Sequence, residues 1–243
     1  MIYIILPAFN EKKNLIQVFK KINKLKVKSK VTVILVDDCS NDGTHLLKNS
    51  KNNFKLIYIK NTINLGLSLT LKNGFKKISK KLKKNDLVIT LDSDNTHPIE
   101  IIPKMINYLI KNNYEIVIAS RFLKYSKVNG LSIFRKCLSY LARIIFSITF
   151  PHKNLRDYTC NYRVYRSKLI IRLLKKKSFF NNEGFNIAVK ILLYLIQLFN
   201  NLKIGEYPLV LNYHYKIGES KMKIYTTIFL TIKLIFTKKL INW

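Results

Sequence analysis

An α/β chain built on a mostly parallel sheet is what this sequence predicts, and three observations carry the prediction. Apolar runs of strand length alternate with longer segments of helical character, the pattern left by strands joined through crossover helices. The run 87–91 is continuous, aliphatic and β-branched, which suits a central strand covered on both faces. Polar clusters follow these runs at their C-terminal ends, where open α/β sheets hold ligands. At 243 residues, the chain is long enough for one domain of catalytic size and a short appendage.

Taken in order, strands are expected at residues 2–6, 31–36, 56–59, 87–91 and 116–119. The clearest helices are 66–81 and 98–111, the second opened by Pro98 near its first turn. Residues 130–150 then read as a long apolar helix on which Arg135, Ser139 and Arg143 recur at four-residue intervals and share one face. That cationic stripe is either a solvated face or a phosphate-binding edge. The apolar stretches 187–199 and 224–236 fall short of the roughly 20 residues that span a bilayer, which favours buried or interfacial helices. From Lys221 onward, Tyr225, Ile228, Phe229, Ile232, Ile235 and Phe236 stand at helical spacing, with Lys221, Lys223, Lys238, Lys239 and Trp243 toward the ends. This is the pattern of an amphipathic helix lying in a membrane interface, although Lys233 interrupts it and the same stripe would serve a helix packed on the domain or a homo-oligomer contact.

The formal net charge is +31, from 44 Lys and Arg against 13 Asp and Glu. Such a balance permits an anionic partner, membrane surface or nucleic acid, without choosing between them, because the basic residues are spread along the whole chain. Cys39, Cys137 and Cys160 are widely spaced and form no metal or redox pattern, so free thiols in a reducing compartment are expected. The first apolar run begins at Ile2 with no basic leader and small-residue cleavage site, so the expected location is cytoplasmic, peripherally held at the inner face of the cell membrane.

The chemistry-bearing residues sit where the strands end. The first strand runs into Pro7-Ala8-Phe9-Asn10-Glu11, where the proline fixes the exit direction, Asn10 is placed to cap the next helix, and Glu11 offers an acceptor. The second runs into Asp37-Asp38-Cys39-Ser40-Asn41-Asp42-Gly43-Thr44. There Gly43 supplies a tight turn and Thr44 a helix cap, while Asp37 and Asp38 suit either a nucleoside contact or turn chemistry. The fourth ends in Asp92-Ser93-Asp94. Residues two apart in an extended segment point the same way, so both carboxylates reach toward one hard divalent cation. The fifth ends in Ser120-Arg121-Phe122.

These segments, with Asn64-Leu65-Gly66-Leu67, Gly74 and His97-Pro98 between them, occur in an order that resembles the family-2 glycosyltransferases. Later segments are most similar to the polyprenyl-phosphate (dolichyl-phosphate) mannosyl- and glucosyltransferases within that family: the run from Arg156-Asp157-Tyr158 to Arg166, Gly205-Glu206-Tyr207-Pro208, and Gly218-Glu219-Ser220-Lys221-Met222. The resemblance implies a single-domain GT-A type fold, a Rossmann-like sheet with flanking helices. Residues 1–220 would form the catalytic domain, with a nucleotide-binding half of about 1–122 and an acceptor half of about 123–220, followed by the amphipathic helix at 221–243. It also implies that Pro7, Phe9, Glu11, Val36 and Asp38 hold the nucleotide. Asp92, Ser93 and Asp94 would engage the sugar diphosphate, the two carboxylates with Mg²⁺ or Mn²⁺ and Asp94 the more direct ligand. Arg121, Arg135 and Lys221 would meet phosphates of donor or acceptor, and Asp157 would lie near the reacting sugar, which makes Asp94, Asp157 and Arg121 the catalytic set. The chain departs from the pattern at Thr96, where a glutamine completes the metal shell, at Tyr215-Lys216, where an arginine stands at the first position, and in the run Thr159-Cys160-Asn161-Tyr162.

The expected reaction is inverting transfer of a sugar from a nucleotide diphosphate-sugar to a lipid phosphate. A phosphate acceptor needs little help from a base, whereas a hydroxyl acceptor, as in cell-surface polysaccharide synthesis, needs a carboxylate for which Asp157 is the candidate. A nucleotidyltransferase fits less well, since no Gly-rich, lysine-bearing loop follows the first strand. A non-catalytic basic protein that binds membrane or RNA would account for the charge but not for acidic residues at successive strand ends.

Overall fold

The computed structural model of the chain describes residues 1–176, 179–180, 186–219 and 224–240, with side chains in the last helix through 235. Its strands are β1 (Ile2–Ala8), β2 (Val31–Asp37), β3 (Lys55–Lys60), β4 (Leu87–Thr90), β5 (Ile116–Ser120), β6 (Lys127–Asn129), β7 (Arg163–Arg166), β8 (Ile204–Pro208) and β9 (Val210–Asn212). Its helices are α1 (Lys12–Asn23), α2 (Gly66–Ser79), α3 (Ile102–Lys111), α4 (Ile133–Thr149), α5 (Ser167–Lys175), α6 (Ile187–Leu198) and α7 (Ile224–Leu240).

Seven strands form one sheet in the order β3-β2-β1-β4-β7-β5-β8, and β6 pairs with β9 in a small parallel ribbon. Within the large sheet only β7 runs against the rest, antiparallel to both β4 and β5. The central strands are apolar throughout: Ile4, Ile5, Leu6, Val33 to Val36, Val88 and Ile89 are fully buried. Helices press apolar stripes onto them at three- and four-residue spacing, Leu15, Val18, Phe19 and Ile22 from α1 and Leu71, Phe75 and Ile78 from α2.

All five expected strands form, and the stretch 187–199 is a core helix with Ile187 to Leu193 buried. Four local expectations change. Asn10 does not cap α1. It adopts a left-handed φ of 54°, Glu11 stands at the cap position, and the first amide, Lys12 N, donates to Asp42 Oδ2 at 2.8 Å. The same Asp42 accepts from both Thr44 N and Thr44 Oγ1 through Oδ1, so one aspartate ends two loops, and Thr44 is its donor rather than a cap. Pro98 precedes a 3-10 turn at Ile99–Ile101, and the α-helical hydrogen bonding begins only at α3. The long apolar helix starts at Ile133, where Ser132 Oγ accepts from Arg135 N.

Phe146 is the one buried residue of α4, so this helix lies along the flank of the domain. Ile133, Phe134 and Ile148 are exposed there, as are Tyr225 and Phe229 on α7. No helix among the described residues is long and apolar enough to cross a membrane. Lys221 and the basic residues near the chain end fall outside the described side chains.

Candidate active site

The ends of β1, β2, β4 and β5 open into a cavity of about 870 Å³. Its polar end is lined by Pro7, Phe9, Glu11, Asp38, Asp92, Ser93, Asp94 and Arg121. Its other end is mostly apolar, walled by Leu138, Ala142 and Ile145 of α4, Val189 of α6 and Ile228 and Ile232 of α7, with Asn186, Thr227 and Thr231 among them. Arg135 and Ser139 lie on the α4 wall, and the Ser139 hydroxyl is buried with no hydrogen-bond partner among the described residues. Arg143, expected on the same face, instead lays its guanidinium over the Phe122 and Tyr140 rings at 5.0 and 5.5 Å and does not line the cavity.

Asp37, the last residue of β2, is fully buried, and Asp38 after it lines the cavity floor. Asp37 accepts from Ser40 N and the Tyr58 hydroxyl, and burial together with this carboxylate pushes the Tyr58 hydroxyl pKa up. Asp38 accepts from Asn61 Nδ2, Leu65 N and Gly66 N, each at 2.8 Å. It therefore holds the start of α2, where helix amides favour a negative charge, while still facing the cavity. Val36, expected to hold the nucleotide, is fully buried in β2 and packs toward Gly74 rather than lining the cavity.

β4 delivers Asp92, Ser93 and Asp94 into the cavity wall. Asp92 N donates to His97 Nδ1, and Asp92 Oδ1 accepts from Asn161 Nδ2. Ser93 Oγ donates to the Pro7 carbonyl at 2.7 Å, which ties the end of β4 to the end of β1. Asp94 Oδ1 accepts from Thr96 N and, at 2.6 Å, from Thr96 Oγ1. Its Oδ2 pairs with Lys216 Nζ at 2.8 Å. Burial opposes the charge on Asp94, but Lys216 and then His97 outweigh it and hold the carboxyl below its ordinary range.

Arg121 and Asp157 form the other charged unit. Asp157 Oδ2 accepts from Arg121 N and Nε at 3.0 and 2.8 Å, and Oδ1 accepts from Nη2 at 2.7 Å. Oδ1 also accepts from Thr159 N and Cys160 N, while Arg121 Nη2 reaches Thr159 Oγ1 as well. Glu206 Oε1 in turn accepts from the amides of Arg156 and Asp157. Asp157 has no exposed surface and does not line the cavity. Desolvation is overcome by Arg121, so the Asp157 carboxyl lies below its ordinary range. Buried beside the pair, the Cys160 thiol is pushed up to about 12, mainly by desolvation and then by Asp157.

The structure thus brings together every expected site residue whose side chain is described, except Val36, below the floor, and Asp157, behind Arg121. Lys221 lies outside the described residues. Sequence reasoning passed over Asn161 and Tyr213, which also line the cavity. Asn161 stands inside the Arg156–Arg166 run that the family resemblance singled out, whereas Tyr213 lies between the quoted segments and carried no signal.

Residues 3–174 match the family model described as glycosyl transferase family 2, and the chain belongs to that family. It is 30% identical over 224 residues to a dolichol-phosphate mannosyltransferase of Pyrococcus furiosus, covering 90% of this chain and 58% of that protein. An undecaprenyl-phosphate 4-deoxy-4-formamido-L-arabinose transferase of Yersinia pestis is 29% identical over 70% of this chain and 50% of its own length. The chain therefore spans little more than half the length of these relatives. Among solved structures, the glucosyl-3-phosphoglycerate synthase of Mycobacterium tuberculosis, in complex with Mn²⁺, UDP and glucosyl-3-phosphoglycerate, superposes with a TM-score of 0.65 at 17% identity, covering 98% of this chain and 78% of that one. The likeness establishes a GT-A type fold.

Proposed function

We propose that this protein transfers a sugar, with inversion, from a nucleoside diphosphate-sugar to a polyprenyl phosphate. The observation that carries the reading is one cavity lined both by acidic residues at the strand termini and by a mostly apolar trough from α4, α6 and α7. The same cavity is lined by Arg121, Arg135 and Ser139, whose hydroxyl has no hydrogen-bond partner among the described residues, groups suited to phosphate oxygens. A lipid phosphate fills such a cavity with its head at the arginines and its chain in the trough. The names of the two sequence relatives point to the same acceptor class.

In this reading Pro7, Phe9, Glu11 and Asp38 border the nucleoside, with Val36 acting only through the packing of β2. No cluster of three His, Cys, Asp or Glu side chains suited to a metal ion occurs among the described residues. Mg²⁺ and Mn²⁺ shared with a diphosphate need only one or two carboxylates, the other ligands being phosphate oxygens and water, and Asp92 and Asp94 fit that donor set. When bound there, the ion offsets charge on the departing diphosphate. The acceptor phosphate oxygen bonds to the anomeric carbon as that carbon's bond to the diphosphate oxygen breaks, and the electron pair leaves with the nucleoside diphosphate. Arg121, braced by Asp157, meets phosphate charge with its orientation already set.

The commitment of both Asp157 oxygens to Arg121 and the adjacent amides argues against that carboxylate as a base for a hydroxyl acceptor. The exposed apolar residues of α4 and α7 and the net charge of +31 support peripheral work at the cytoplasmic face of a membrane.

The test is release of nucleoside diphosphate from GDP-, UDP- and dTDP-sugars with Mg²⁺ or Mn²⁺, with and without a polyprenyl phosphate. Release should depend on the lipid and fall at least about a hundredfold in Asp94→Ala. Donor turnover that ignores the lipid phosphate but responds to a hydroxyl acceptor would overturn the reading.

A further inference from the structure

Two neighbours take up both oxygens of Asp94. Thr96 donates twice to Oδ1, and Lys216 Nζ meets Oδ2. The ion pair is weakly screened, the Lys216 and Asp94 side chains being 12% and 14% exposed. A divalent cation approaching Asp94 therefore meets a resident positive charge on the oxygen it needs.

The backbone around Lys216 is strapped down on both sides. Ile217 exchanges two hydrogen bonds with the Asn14 side chain on α1, both at 2.9 Å. Asn95 Nδ2 donates to the Tyr215 carbonyl, and Lys21 Nζ lies over the Tyr215 ring at 5.1 Å while donating to Asn95 Oδ1. With its backbone anchored, Lys216 keeps mobility only in its stem, and a lysine ammonium is a point charge that exchanges partners without a fixed fork geometry. A diphosphate in the cavity offers that ammonium anionic oxygens in place of Asp94, and once it turns to them Oδ2 is open to the cation.

We propose that Lys216 makes cation binding at Asp94 conditional on a bound diphosphate, so that the donor and its metal enter as a unit and the metal alone is turned away. This rests on the reading of Asp94 as a metal ligand given above.

Mn²⁺ alone, titrated into the full chain by calorimetry and by the loss of the free-ion paramagnetic resonance signal, tests it without turnover. Wild-type protein should bind Mn²⁺ weakly and gain affinity when UDP or GDP is present. Lys216→Gln should bind Mn²⁺ alone at least about tenfold more tightly than wild type, the equivalent of about 1.4 kcal/mol. Lys216→Arg, which keeps the charge, should stay close to wild type. Misfolding of the glutamine variant would weaken binding, the opposite of the expected change, and thermal denaturation of the three proteins identifies that case. Equal or weaker Mn²⁺ binding by a folded Lys216→Gln overturns the proposal. Asp94→Asn separates the two levels of the argument: Mn²⁺ binding that survives this change sinks the assignment of Asp94 itself, and with it any role for Lys216 there.

Discussion

Asp157 shows how far a side chain's identity underdetermines its work. As a residue type near the middle of the chain it suits a general base, but folding places it behind Arg121, whose Nε and Nη2 it receives. Removing a buried partner leaves the other charge uncompensated. Asp157→Asn is therefore expected to cost about 3 kcal/mol in urea unfolding at neutral pH. Its pH signature has a definite sign. Because the folded carboxyl lies below its ordinary value of 3.8, the stability it contributes is complete above that value and lost as pH falls through the folded one. Unfolding curves taken from about pH 7 downward should show the gap between wild type and Asp157→Asn steady above 3.8 and narrowing below it. A difference that stays constant across the range would refute the ion-pair account. What was legible at this scale were residues marked by their place just past a strand, such as Asp92 and Asp94, which follow β4 and both line the cavity. Asp157 and Lys216 were not, since the partners that fix their roles stand 36 and 122 positions away, and Asp38, legible as a site residue, gave no sign that it anchors the start of α2.

At the scale of elements, β1 to β5 announced themselves through continuous apolar runs, and their C-terminal ends located the site, while the parallel β8 did not. β7 gave no such signal. Its four residues are Arg-Val-Tyr-Arg, and nothing local indicates that Arg163 is fully buried, its guanidinium held by the carbonyls of Ala188 and Tyr158. Helix starts were also misread, because Asp42 caps α1 from a different loop. Gly74 could be read as a family mark, while the reason for it lies in packing: a Cβ there would sit 2.7 Å from Ile5 Cγ2 and 3.2 Å from Val36 Cγ2. α2 approaches β1 and β2 this closely only because that atom is missing. Gly74→Ala should lower stability by about 1–3 kcal/mol despite the better helix propensity of alanine. Thermal denaturation would detect this readily, and an unchanged or raised melting temperature would show that the helix can back away at no cost.

For the molecule as a whole, charge and apolar surface act together. Phe134, Ile148 and Phe229 are 62%, 75% and 67% exposed on α4 and α7, on a chain carrying +31. Flotation with vesicles rich in anionic lipid is expected to carry the intact chain, to weaken as salt is raised, and to fail for a chain ending at Met222. Persistence of binding in the shortened chain would assign the contact to α4 alone. The sheet has one further consequence. β4 and β5 do not pair with each other; β7 lies between them and is made about forty residues after β5 ends. On the ribosome, then, the chain through Ser120 has two unpaired edges facing each other, one below the acidic pair and one below Arg121, and these close only after Arg166 has emerged. The sheet that carries the site is therefore continuous only once the segment after β5 has folded back into it.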